Sequence, residues 1–264
     1  MLNIKSINKG FNKGTVNETS IFNNFNLEIN KGDFITIVGS NGAGKSTLLN
    51  IISGALELDS GKIILEGKDI TNLKEHRKSE FISRVFQDPT KGTSPSMTIL
   101  ENLSLADNKG SSFGLSLGVN KKKIEEFKNH LSILNLGLED KLNTQVGILS
   151  GGQRQALSLL MATLNTPKIL LLDEHTAALD PKTSETIINL TDSIVRDKNI
   201  TTIMITHNLS HAIEFGNRLL MMHAGEVILD IGEMEKRKLT KNDLIEEFNK
   251  ITFKEELSDR VMFA

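Results

Sequence analysis

Apolar residues fall along this chain in two patterns. Phe34 to Val38 (FITIV), Lys168 to Glu174 (KILLLDE) and Thr201 to Ile205 (TTIMI) are short runs with almost no polar interruption. Such runs predict strands buried on both faces, as in a parallel sheet. Phe81 to Phe86 reads as another short strand, and helical spacing covers Ser46 to Ile52, Arg154 to Leu164 and Pro181 to about Arg196. Pro181 suits the first position of its helix, where no N–H is needed. Leu2 to Ile7 and Ile21 to Ile29 alternate instead, which predicts antiparallel strands with one wet face, the first at a sheet edge. The turn Asn30-Lys31-Gly32-Asp33 leads from the second into FITIV. Asp59-Ser60-Gly61 punctuates a hairpin with Lys62 to Glu66 as its arm, and Ala224-Gly225 joins Leu219 to Met222 with Glu226 to Asp230. Methionines 221 and 222 read as core filling.

From about Pro89 to Leu149 the strand pattern stops. Thr98 and Glu101 form a capping-box signature, so a helix is expected from Ile99. Asp107 to Val119 is rich in Gly, Ser and Lys and reads as a mobile loop. Lys121 to Leu134 resumes helical spacing, with Lys121-Lys122-Lys123 a solvated helix start, short of a polybasic cluster. The segment predicts a helical insertion within an α/β core. Thr240 and Asp243 predict a capped helix over Lys241 to Phe248.

Composition narrows the setting. With 264 residues there is ample chain for one large α/β domain, or a core with a subdomain. A net charge of −2 supplies no general field for nucleic acid or anionic lipid. Absence of cysteine excludes disulfides and thiolate metal sites. Tryptophan and tyrosine are also absent, so any aromatic that stacks on a base must be one of twelve phenylalanines. The start, MLNIKSINKG, lacks the apolar run of a signal peptide, and no window holds 18 consecutive apolar residues.

Chemistry concentrates in the turns after the apolar runs. Gly39-Ser40-Asn41-Gly42-Ala43-Gly44-Lys45-Ser46-Thr47 satisfies GxxxxGK[ST] between a strand and a helix. Glycines at 39, 42 and 44 are expected to bare the amides to a polyphosphate, a Cβ filling the phosphate's place. Lys45 can then reach the β- and γ-phosphates, and Ser46 a Mg²⁺ that bridges them. A second glycine pair, in Leu149-Ser150-Gly151-Gly152-Gln153, opens a helix, which reads either as another phosphate half-site or as a helix cap led by Ser150. Asp173 ends the KILLLDE strand and is suited to hold Mg²⁺. Glu174 is suited to polarise an attacking water. His207 stands at the end of TTIMI, expected on the same sheet edge, as a γ-phosphate sensor. His76, His130, His211 and His223 carry no such context.

GSNGAGKST, Gln87, LSGGQ, LLLDE with AALD behind it, and His207 follow in an order that closely resembles the ATP-binding cassette (ABC) ATPases, over about residues 2–230. The resemblance implies a phosphate-loop NTPase (RecA-like) core with an antiparallel β subdomain and an inserted α-helical subdomain. Expected bounds are 1–88 and 160–230 for the core and β subdomain, 89–159 for the helical part and 231–264 for an extension. It implies ATP and Mg²⁺ as cofactors and a head-to-tail homodimer, in which Ser150, Gly151, Gly152 and Gln153 meet ATP held by the partner copy. Glu174 corresponds to the general base, His207 to the histidine holding the γ-phosphate, and Asp180 to a cross-interface residue. Gln87 matches the glutamine that joins core to insertion and serves the metal and the reaction. Phe11 falls where the family stacks an aromatic on adenine, with core packing the other reading.

His175 departs from the usual proline after the base. GTSPSMTILENL, SGGQRQALSLLMATL and DEHTAALDPKT resemble bacterial cassettes that serve a branched-chain-type membrane permease and a lipoprotein binding amino acids, tryptophan or tyrosine among them. That implies an importer subunit at the cytoplasmic face of the cell membrane, with no nucleic-acid partner. An exporter motor and a soluble iron–sulfur assembly ATPase share the same cassette.

Overall fold

The computed structural model describes residues 1–110, 118–119 and 121–250. In chain order the elements are β1 (Leu2–Phe11), β2 (Thr19–Ile29), β3 (Phe34–Gly39), α1 (Lys45–Ser53), β4 (Ser60–Leu65), β5 (Lys68–Asp69), α2 (Glu75–Lys78) and β6 (Ile82–Val85). There follow α3 (Ile99–Asp107), α4 (Ile124–Ser132), α5 (Gly151–Thr163), β7 (Ile169–Asp173), α6 (Pro181–Asp197) and β8 (Thr201–Ile205). The described part closes with α7 (Leu209–Glu214), β9 (Arg218–His223), β10 (Glu226–Ile231), α8 (Glu233–Lys236) and a helical stretch over 241–250. The fold is α/β, with two sheets.

The uninterrupted runs lie where their composition demands. In the six-stranded sheet, ordered β10-β9-β3-β8-β7-β6, strands β3 and β8 are buried throughout and β7 up to Asp173. β9, β3, β8, β7 and β6 run parallel, with β10 added antiparallel to β9. Parallel strands present their C-terminal ends on one edge. Register levels those ends: Ile37 lies opposite Ile205, Ile205 opposite Asp173, and Val85 opposite Leu172.

The alternating segments form a second, antiparallel sheet, ordered β2-β1-β4-β5. β1 is not the expected edge strand; it pairs with β2 on one side and β4 on the other. Alternation reports burial of one face and is silent about how many neighbours a strand has. That face supplies Ile4, Phe22, Leu27 and Ile63 to a core shared with Leu49 and Ile52 of α1 and Leu171 of β7. The chain turns back after β4 at Glu66 and Gly67, whereas Asp59 precedes β4.

Between β6 and β7 the chain is helical. Thr98 caps α3 through reciprocal bonds with Glu101. α3, α4 and α5 close over a separate cluster that includes Leu103, Phe127, Leu131 and Leu157. Lys121–Lys123 makes a short 3₁₀ turn ahead of α4. Most of the Asp107 to Val119 segment lies outside the described residues.

Candidate functional site

The loop between β3 and α1 is held from two sides. Phe22 of β2 lies beneath it, and the β9–β10 turn lies beside it, with the Gly225 N–H donating to Ala43 O at 3.2 Å. These neighbours correct the expected reason for two of the glycines. A Cβ on Gly39 would stand 2.1 Å from Met222 O, and one on Gly44, at φ +94°, would stand 3.0 Å from Phe22 Cζ. At both positions the side chain is excluded by protein on the outside of the loop. Gly42 is exposed, with nothing near its Cβ position. Ser40, Asn41 and Ser46 are exposed, Thr47 is half-buried, and Ala43 is buried.

Lys45 is buried, and its Nζ donates to Gly39 O and Ser40 O, both at 2.8 Å. Burial pushes its pKa down, against the pull of Glu174 and then Asp173. The ammonium therefore sits within the field of both carboxylates. Glu174 follows β7 with φ 49°, and its N–H donates to Ile205 O at 3.1 Å. This backbone kink turns its side chain to His207, whose Nε2 lies 2.6 Å from Glu174 Oε1. Glu174 is mostly buried, whereas His207 is about half exposed at 49%.

Asp173 meets a residue absent from the sequence reading. Arg84 of β6 donates through Nη2 to Asp173 Oδ2 at 2.5 Å and through Nη1 to Asn50 Oδ1 of α1 at 2.6 Å. Its guanidinium also lies 4.7 Å from the centroid of the Phe86 ring. The available signal was the arginine itself, since a cation in a largely buried strand calls for a carboxylate partner. Gln155 of α5 was also missed; its Nε2 donates to Phe86 O at 3.2 Å, tying α5 to the end of β6 just before exposed Gln87.

The oxygen chemistry fits Mg²⁺ accompanied by phosphate. Ser46 offers a hydroxyl and Asp173 a carboxylate, the hard donors that this ion prefers. Among the described residues no group of three or more His, Asp or Glu could hold a metal by itself. Phosphate and water oxygens would have to complete the shell.

Ser150 caps α5, its Oγ accepting the Gln153 N–H at 3.2 Å while Gln153 Oε1 accepts the Ser150 N–H at 3.2 Å. The cap uses the hydroxyl oxygen as acceptor and leaves its hydrogen to donate elsewhere, so the two readings of this segment are compatible. Its neighbours belong to the turn at Asp180 and the start of α6. A Cβ on Gly152 would meet Thr183 at 2.3 Å, and one on Gly151 would meet Leu179 at 3.5 Å. Asp180 caps α6, accepting from the Thr183 N–H at 3.1 Å. Thus the structure gathers loop 39–47, Asp173, Glu174 and His207 on one sheet edge, and Ser150–Gln153 with Asp180 at two adjacent helix starts.

Two remaining positions are informative. Phe11 ends β1 and is 37% exposed, with Lys9 Nζ 5.4 Å from its ring centroid, which removes the core-packing reading. His175 is fully buried. Its Nε2 is 3.0 Å from Thr191 Oγ1, whose own hydrogen goes to Ile187 O at 2.7 Å. His175 therefore donates from Nε2, and burial, with His211 nearby, pushes its pKa down to about 3.

The model of the family described as "ABC transporter" matches residues 22–177. A tyrosine transport ATP-binding protein of Clostridioides difficile is 52% identical over 248 residues, covering 94% of this chain and 98% of that one. A spermidine/putrescine import ATP-binding protein of Haemophilus influenzae is 36% identical over 232 residues, 87% of this chain and 57% of the relative. Among solved structures, a dimeric ATP-binding cassette in a post-hydrolysis state with ADP and Pi aligns at TM-score 0.74 and 29% identity, over 88% of this chain and 99% of that one. A second cassette, in an ADP conformation, aligns at TM-score 0.77 and 29% identity over 94% and 98%. Among the described residues no helix is long and apolar enough to cross a membrane. The shared phosphate-loop fold and the near full-length likeness carry one conclusion: this chain belongs to the ABC transporter family and is an ATP hydrolase of that type.

Proposed function

We propose that this chain drives amino-acid import, tyrosine being the first solute to test, as the ATPase subunit of a membrane transporter. The likeness to the tyrosine transport protein, at 52% identity and nearly full length on both sides, carries the solute reading. In this reading two copies face each other head to tail. ATP lies on Gly39 to Thr47 of one copy and meets Ser150, Gly151, Gly152 and Gln153 of the other, with Asp180 beside them and Phe11 on the adenine. The grouping of Ser150–Gln153 with the Asp180 turn at two adjacent helix starts supports it.

The observation that carries the mechanism is the 2.6 Å contact between His207 and Glu174 beside buried Lys45. Lys45 exchanges its two loop carbonyls for β- and γ-phosphate oxygens. Glu174 takes a proton from water as the water oxygen attacks the γ-phosphorus and the bond to ADP breaks. His207 Nε2 holds the carboxylate until the γ-phosphate competes for it. Ser46, Asp173 and Gln87 would hold Mg²⁺, which supplies charge neutralisation to the phosphates when bound. Because dimer affinity rests on the γ-phosphate, hydrolysis reverses closure, which gives a two-state switch its differential affinity. Gln87 and the helical insertion pass that closure to permease subunits at the cytoplasmic face of the cell membrane.

The test is to tag this subunit, solubilise native membranes in mild detergent and identify what accompanies it by mass spectrometry. A many-spanning permease with a lipoprotein that binds tyrosine supports the reading. A permease without a binding protein points to export, and recovery of soluble partners alone would remove transport.

A further inference from the structure

We propose that Arg84 makes metal binding at Asp173 conditional on nucleotide, by standing as the carboxylate's counter-ion whenever no phosphate is present. This rests on the reading of Asp173 as a metal-holding residue and deepens it. Arg84 acts through Asp173 and is a positioning residue.

Arg84 is fixed by geometry at four points: its strand pairs with β7, placing it opposite Leu171, Nη2 reaches Asp173, Nη1 reaches Asn50 and the guanidinium plane lies near Phe86. Its side chain is 13% exposed and that of Asp173 is 16% exposed, so water screens the pair poorly. Nε is buried with no partner among the described residues, which argues for a side chain held chiefly by its two Nη bonds. Asp173 thus gives Oδ2 to an arginine and keeps Oδ1 for a second cation.

A lone Mg²⁺ arriving there would find one carboxylate already shared with a positive charge, and no third acidic or imidazole ligand among the described residues. Polyphosphate changes the balance, because its negative oxygens outweigh the guanidinium. The metal would then enter with ATP and not ahead of it. Asn50 lies on the helix that begins at Lys45, so the same guanidinium braces the metal-holding strand end against the phosphate-loop helix. For a divalent ion roughly 6 Å from a single positive charge, even a water-like dielectric makes the repulsion worth about tenfold in affinity.

The test titrates Mn²⁺, a paramagnetic stand-in for Mg²⁺, into nucleotide-free protein and reads free ion by electron paramagnetic resonance. Arg84→Gln removes the charge while keeping a group that can reach Asn50. Arg84→Met fills similar space without one, and circular dichroism verifies that each is folded. Both are expected to bind Mn²⁺ at least tenfold more tightly than wild type, and Arg84→Lys to return towards wild type. The gain should vanish in Arg84→Gln/Asp173→Asn and shrink when ATP is present. Equal Mn²⁺ binding in wild type and both neutral variants would overturn the proposal, as would a gain that survives Asp173→Asn. If wild type binds Mn²⁺ with ATP and loses this in Asp173→Asn, the metal role of Asp173 stands even when Arg84 fails. Unchanged Mn²⁺ binding with ATP in Asp173→Asn would remove the metal role itself.

Discussion

Phe22 links the antiparallel sheet to the phosphate loop, and removing its ring tests that link. It is 1% exposed, its ring centroid is 4.8 Å from that of Phe25, and its Cζ stands 3.0 Å from where a Gly44 Cβ would be. Phe22→Ala removes a whole buried ring at a site roofed by loop backbone and walled by Phe25, which limits collapse. A cost of about 3–5 kcal/mol is expected. At roughly 2–4 °C per kcal/mol for a chain near this size, Tm should fall by about 6–20 °C. Below the transition, the loop should lose its floor and ATP should bind more weakly. Differential scanning fluorimetry gives Tm, and titration with a fluorescent ATP analogue at 15 °C gives affinity. Phe25→Ala is the control, because it should lower Tm without releasing Gly44. A Tm loss below about 3 °C, or equal ATP affinity in the two variants, would refute packing of Phe22 beneath the loop.

Glu174→Gln keeps the side-chain shape and removes the charge; phosphate release is expected to slow about 100-fold or more, while ATP still binds and traps a dimer on size exclusion. A monomer at saturating ATP and Mg²⁺ would contradict that assignment. Lys45→Ala should abolish tight ATP binding by calorimetry; unchanged affinity would remove the phosphate-loop role. For pH, burial holds His175 at about 3, below the ordinary 6.5, so the unfolded chain binds a proton that the fold refuses. Its contribution is intact above about pH 6.5 and lost as pH falls towards 3, with a slope of at most about 1.4 kcal/mol per pH unit. Urea midpoints from pH 7 to 4 should fall less steeply in His175→Asn than in wild type, and parallel curves would refute the burial effect.

Local order was legible because its causes are local. A capping box needs four residues, so Thr98 with Glu101 and Ser150 with Gln153 close within their own first turns. Full burial of β3 and β8 follows from uninterrupted apolar runs, and the glycine loop falls between strand and helix as its residue types require. Those patterns also carried the family resemblance, since its motifs are contiguous strings.

Relations between distant strings were decided only by the tertiary structure. Strand order places β1 inside its sheet, a fact that alternation cannot encode because one wet face serves an edge or a centre equally. The reasons for Gly39 and Gly44 lie on β9 and β2, and the loop itself contains neither partner. Arg84 meets Asp173 across 89 residues of chain because β6 and β7 run parallel with level ends. His207 reaches Glu174 because Ile205 and Asp173 share register and a left-handed residue turns the carboxylate between strands. Sequence determined the elements through interactions of a few residues' range. The fold chose which charges and rings face each other, because those contacts depend on strand order and register, which are properties of the assembled sheet.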